Sequence, residues 1–273
     1  MRTGLAWFAA ATLVVGFVST AAAEGDGRPS LSYGASASYT LDINDPKAQS
    51  DADPLNANPG AYASLEQDES FNIDLVQFGM SGQRGRVGYS AKLDLGDLAA
   101  KVGDSADGDI ALQEAYLTLD GGSIRSRVGR FATPIGYEVV EPWGNAHISR
   151  SWGWLMQPIN HDGITLDGQF DSVDFSVGVV NSFSVGDSAA NDVDDEKGII
   201  ASFGAGVSDQ INIYVSGIYS EERDVDEVGL VNGILSGILG PGGAGLRYAL
   251  EGNYVEHDFS GGSEASGWNV GVY

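Results

Sequence analysis

Over residues 31–43, apolar and small or polar residues alternate without an error. Leu31, Tyr33, Ala35, Ala37, Tyr39, Leu41 and Ile43 share one parity, and Ser32, Gly34, Ser36, Ser38, Thr40 and Asp42 hold the other. Only an extended chain puts each set on a single face; a helix scatters both around its axis. The pattern recurs at Val87, Tyr89, Ala91, Leu93 and Leu95, and at Val173, Phe175, Val177 and Val179. It continues at Ile199, Ala201, Phe203 and Ala205, with Ile200 out of step, and at Ile211, Ile213, Val215 and Tyr219. Leu246, Tyr248, Leu250 and Tyr254 share a face too. Weaker strands fall near 71–81, 110–119, 124–131, 164–170 and 266–273. The chain is all-β. Its 39 glycines in 273 residues and 19% charged residues also speak against a helical bundle.

A soluble sandwich alternates as well. Two features favour a transmembrane antiparallel up-and-down barrel instead. Several strands reach the length that a tilted strand needs to cross a bilayer. The connections also sort by length: segments 44–70, 96–109, 132–163, 181–197 and 220–245 are long, whereas 82–85, 120–123, 171–172 and 207–210 are short. Tight turns at one end and long loops at the other are the habit of outer-membrane barrels.

Residues 1–23 read as an export leader: Arg2, an apolar stretch over 5–18, then Ala21-x-Ala23 as a small-residue cleavage site. The apolar stretch is shorter than the about 20 residues of a membrane-spanning helix. Residues 24–273 are then the barrel, placed in the outer membrane. The formal charge of −24 argues against a basic nucleic-acid surface, and the absence of Cys excludes disulfides, thiol nucleophiles and Cys-bound metal.

About 11 strands are countable, an odd number where bacterial barrels close with an even one. Tyr273 falls on the parity of Asn269 and Gly271, whereas Trp268, Val270 and Val272 form the apolar face. The expectation is an incomplete barrel with strands missing after Tyr273, or a miscount in the apolar segment 228–239. That segment carries Leu230, Val231, Ile234, Leu235, Ile238 and Leu239 at helix-like spacing and reads as part of a loop. Acidic residues crowd the long loops: Asp45, Asp51, Asp53, Glu66, Asp68 and Glu69; Asp187, Asp192, Asp194, Asp195 and Glu196; and Glu221, Glu222, Asp224, Asp226 and Glu227. These read as solvated loop charge or as sites for divalent cations bridging to anionic lipid headgroups; none has the spacing of a calcium loop.

Segment 132–163 is the least generic. It holds Pro134, Pro142 and Pro158 with Trp143, Trp152 and Trp154, and in a barrel the surface open to it is the lumen wall. Val128-Gly129-Arg130-Phe131-Ala132-Thr133-Pro134-Ile135-Gly136-Tyr137-Glu138 resembles the Gly-(Lys/Arg)-Phe-x-Thr-Pro-Ile-Gly-x-Glu signature of the OmpL-like beta-barrel porin-2 group. Leu112-Gln113-Glu114-Ala115-Tyr116, Ser149-Arg150-Ser151 and His161-Asp162-Gly163 are similar to its neighbouring patches, with Asp162 standing where Thr is common. The resemblance covers about residues 110–166 and implies a porin-like outer-membrane barrel, usually longer than this chain.

Arg125 and Arg127 are two apart on one strand and share a face. The lipid side costs an arginine roughly 2–4 kcal/mol at midplane, so they are expected to face the lumen. Arg130 has the opposite parity and needs a bulge or a place at the membrane rim. Glu138, Glu141, Arg150 and Asp162 complete the expected constriction, with basic wall facing acidic loop in a transverse field, or with the arginines pinning the loop. The expected function is passive diffusion of small hydrophilic solutes or ions; the alternatives are a non-conducting surface barrel or adhesin, and a soluble secreted β-protein. No G-x-S-x-G or H-E-x-x-H motif occurs, and neither catalysis nor a metal or cofactor is expected. Expected partners are outer-membrane lipid, lipopolysaccharide and the solutes themselves, with a homotrimer one open assembly.

Overall fold

The computed structural model describes residues 17–21, 29–40, 70–102, 110–147, 150–183, 197–208, 210–222, 226–240, 245–259 and 261–273. They form one sheet of 13 strands in sequence order, with every neighbouring pair antiparallel. The strands are β1 (Phe17–Ala21), β2 (Ser30–Thr40), β3 (Ser70–Arg84), β4 (Val87–Leu95), β5 (Ile110–Asp120), β6 (Ile124–Ala132) and β7 (Asn160–Phe170). Then follow β8 (Val173–Val180), β9 (Gly198–Ser208), β10 (Ile211–Glu222), β11 (Asp226–Leu239), β12 (Leu246–Phe259) and β13 (Ser263–Val272). Short helices α1 (Asp97–Val102) and α2 (Trp152–Met156) lie in the connections. β1 belongs to the segment read as a leader and pairs along β2; among the described residues no pairing joins β13 to β1 or β2.

The sheet is inverted relative to a water-soluble protein. Val128, Ile164, Leu166, Val177, Val179, Ile199, Phe203, Val215, Val231, Leu250 and Trp268 are all exposed, on one continuous outer face. The opposite face buries Asp74, Gln77, Asp94, Thr165, Ser202, Ser216, Asn232, Glu251 and Asn253. Scattered exposed apolar residues are ordinary, but an apolar band around a polar interior is stable only where the outside is hydrocarbon. In lipid each backbone group must find its partner within the protein, and the antiparallel ladder pairs every strand from β2 to β12 on both sides.

Breaks in the alternation have two causes. Where the apolar parity flips, the strand bulges. Opposite Ser36 and Ala37, β3 runs Leu75 then Ile73, leaving Asp74 as the extra residue; opposite Lys92 and Leu93, β5 runs Glu114 then Leu112, leaving Gln113 extra. Each bulge returns the following apolar residues to the outer face. Where an apolar residue sits on the polar parity, it belongs to an internal cluster. Ile200, out of step in the sequence, is fully buried with Phe131, Ile135, Val180, Ile218 and Leu230. Close backbone approach beside this cluster needs Gly129, at φ +125°, where a Cβ would lie 2.3 Å from the Ala115 carbonyl oxygen.

The segment 228–239 is strand rather than loop. β11 pairs along its length with β10 and β12, with Val231 and Leu235 outward and Leu230 and Asn232 inward. Its run of apolar residues serves both faces at once, the outer one against lipid and the inner one in the cluster, which is why the spacing imitates a helix. The count of 11 is thereby corrected: twelve strands follow β1, and the connection expected over 220–245 divides into the short links flanking β11. Of its acidic residues, Glu221 and Glu222 end β10, Asp226 and Glu227 begin β11, and Asp224 lies outside the described residues. The acidic runs at 45–69 and 187–196 also lie outside them.

Candidate functional site

The connection between β6 and β7 leaves the long-loop end of the sheet and folds back over the polar face. Its apolar residues fix its path. Ile135 enters the cluster around Phe131, while Val140 and Trp154 pack with Leu75 and Leu98, flanked by Trp143 and Ile159. Trp143 lies against Gly34 of β2, where a Cβ would come within 2.5 Å of the indole. Ser151 caps α2 by accepting from the Trp154 N–H at 3.3 Å.

Polar contacts fasten the loop to strands far apart in the sheet. On one side Lys92 Nζ of β4 donates to Glu141 Oε1 at 2.9 Å and to Glu114 Oε1 of β5 at 2.8 Å. Gln77 Nε2 of β3 donates to the same Glu141 oxygen at 3.0 Å and to Asp94 Oδ1 at 2.9 Å. On the other side the Tyr137 N–H donates to Glu251 Oε1 of β12 at 2.9 Å, and Tyr273 Oη, which donates to Glu251 Oε2 at 2.9 Å, lies 2.9 Å from Ser151 Oγ of the loop. Tyr214 Oη of β10 donates to the Pro134 carbonyl at 2.8 Å. The loop therefore crosses from the β3–β4 wall to the β10–β12 wall, and each attachment is to a buried or half-buried inward side chain.

The expected constriction residues divide into three groups. Glu138, Glu141 and Arg150 belong to the loop and hold its shape. Glu138 is buried and accepts the Ser151 N–H at 2.9 Å and the Ser151 hydroxyl; Arg150 donates to the Val140 carbonyl at 2.7 Å, with its guanidinium 4.9 Å from the Trp154 ring centre. Arg125 and Arg127 take the inward parity. Arg127 pairs with Asp167 on the neighbouring strand (Nη2 to Oδ2, 2.7 Å), its guanidinium 5.1 Å from the Phe131 ring centre, and Arg125 stands in register with Asp120 and Asp167 near the short-turn end. No ion pair joins these two arginines to a loop carboxylate among the described residues.

Arg130 and Asp162 form the third group and are corrected to the outer face. They stand opposite each other in the register that also pairs exposed Val128 with Ile164, and no bulge intervenes. Arg130 Nε and Nη2 donate to the two Asp162 oxygens, both at 2.8 Å. The fork neutralises a charge that cannot stand alone beside lipid, and the pair sits at the long-loop rim of β6 and β7, where that cost is least.

Lys92, Gln77, Glu114 and Glu251 went unrecognised as anchors in the sequence. Strand parity puts them inward, but nothing local announces which loop residue they meet.

Burial penalises the Glu141 carboxylate, yet the charge and hydrogen bond of Lys92, helped by Gln77, outweigh this and hold it below its ordinary 4.5. A carboxyl depressed in the folded state contributes stability above its unfolded pKa, lost as pH falls through the folded value. The anchor is thus expected to persist as pH drops past 4.5 and to release only below it. Lys92→Met removes the cause and leaves the burial, so release moves upward in pH. Single-channel current recorded against pH in the two proteins checks the order of the steps.

An apolar outer belt, a polar inner face and a long loop laced across it define a barrel of the outer-membrane porin class. The profile described as "Putative beta-barrel porin-2, OmpL-like" matches residues 21–255, and the chain belongs to that family. Among solved structures it is similar to OmpT, an outer membrane protein of Vibrio cholerae in a trimer form, at 10% identity and a TM-score of 0.41, covering 76% of this chain and 77% of that one. No curated protein matches.

Proposed function

We propose that this protein is a passive channel for small hydrophilic solutes or ions across the outer membrane, exported by the leader at 1–23 and narrowed by the loop between β6 and β7. The observation carrying this reading is the attachment of that loop to both walls, at Glu141 and at Tyr137. A loop held from one side only could lie flat or leave the lumen; one held from both leaves a narrowed passage lined by side chains. No nucleotide or catalytic group is required, since the solute gradient supplies the energy.

Charge selection in this reading comes from the inward side chains. Arg125 and Arg127 are the cations of the β6 wall, and replacing both by Ala is expected to shift the reversal potential in a salt gradient toward stronger cation preference. An unchanged potential would show that they do not set the charge preference and that Arg127 serves only to hold Asp167. Purified, folded protein that gives no conductance in a planar bilayer would leave the non-conducting surface barrel as the better reading.

A further inference from the structure

Where the loop meets the β2–β4 wall, a cavity of about 310 Å³ is lined by Ser32, Gln77, Lys92, Glu141 and Trp143, with Tyr33, Val139 and Gly144 at its margins. Its polar groups are partly engaged with one another. Lys92 is clamped between Glu114 and Glu141 at 2.8 and 2.9 Å, so this triad keeps one net negative charge. Gln77 spends its amide N–H groups on Asp94 and Glu141, and its carbonyl oxygen is what remains to face a guest. Beside it Asp94 is fully buried, and its second oxygen has no hydrogen-bond partner. The cavity wall thus offers the second Glu141 oxygen, the Gln77 carbonyl and the Ser32 hydroxyl as acceptors, with the remaining Lys92 proton, the Ser32 O–H and the Trp143 indole N–H as donors, and its net charge is negative. Trp143 adds an aromatic surface, seated on Gly34 because no side chain stands there.

An anion meets net repulsion at such a wall. A neutral solute gains no charge term from it. A cation with N–H donors can bond the Glu141 and Gln77 oxygens and gains attraction from both the net negative charge and the indole face. We infer that this cavity is a binding site for small organic cations, an ammonium or guanidinium group on a short aliphatic body, held by Glu141 and Gln77 against Trp143. This deepens the channel reading and rests on it: the site lies in the passage and would retard such cations as they cross.

The test uses the full-length barrel in a planar bilayer in potassium chloride, with butylammonium, agmatine or butyrate added at millimolar concentration. Butylammonium and agmatine are expected to interrupt the potassium current in discrete events, and butyrate to leave it uninterrupted. Trp143→Ala and Glu141→Gln are each expected to shorten those events by roughly tenfold, with heat-dependent gel mobility showing that the variants are folded. A conducting barrel that treats butylammonium and butyrate alike overturns the site and leaves the channel standing. If the barrel does not conduct, calorimetric titration of the detergent-solubilised protein with butylammonium decides the site separately: saturable binding that Trp143→Ala weakens supports it, and its absence ends it.

Discussion

Phe131→Ala is expected to cost about 3–5 kcal/mol, the loss usual for truncating a fully buried aromatic. Phe131 is wholly inaccessible and stands where the wall strands β6, β8, β9, β10 and β11 meet Ile135 of the loop. Its removal opens a cavity in the one apolar patch that the loop's beginning rests on, and it takes away the ring beneath the Arg127 guanidinium. Urea unfolding of the barrel in lipid vesicles measures the loss. Single-channel noise should rise in the same variant, because the loop has lost its seat beside β6 while keeping its ties at Lys92 and Glu251.

Leu166→Arg is the second large effect. Leu166 lies mid-strand on the outer face, opposite Val177 and Ser126. An arginine there meets hydrocarbon at the depth where it is most expensive, about 2–4 kcal/mol. Leu119→Arg, on the same face but at the end of β5 beside the short turn, should cost only about 0–1 kcal/mol. A difference that depends on depth along the strand, with both sites similarly exposed, has no source in water. Vesicle unfolding of the two variants side by side checks it.

The fold was legible where one physical cause acted alone. Strands such as β2 and β4 alternate because one face meets lipid and the other the interior; β4 spans the residues the alternation marked, and β2 begins one residue before it. β11 was missed because two environments both wanted apolar side chains: Val231 and Leu235 face out while Leu230 and Ile234 are buried inside, so the period of two is blurred. Ile200 looked like an exception to its strand for the same reason and is in fact a member of the internal cluster. Parity flips in β3 and β5 were visible as weak strands and mark bulges at Asp74 and Gln113. At the site, parity placed Arg125 and Arg127 inward and flagged Arg130 as anomalous, which its outer-rim pairing with Asp162 explains. Parity says nothing about partners, however. That Glu141 would meet Lys92, or Tyr137 meet Glu251, depends on how far the loop reaches across the interior, and no local pattern encodes that distance.

The absence of native cysteine makes the orientation of the faces directly measurable. Single cysteines at 163–168 in β7 and 199–204 in β9 can carry nitroxide spin labels in the barrel reconstituted in lipid. Collision with oxygen, which concentrates in hydrocarbon, and with a water-soluble nickel chelate then reports each site's surroundings. The expected result is a period of two, with oxygen favoured at 164, 166, 199, 201 and 203 and depleted at 165, 200 and 202. Outer positions that meet the aqueous chelate as readily as oxygen would contradict the inverted sheet, and with it the membrane barrel.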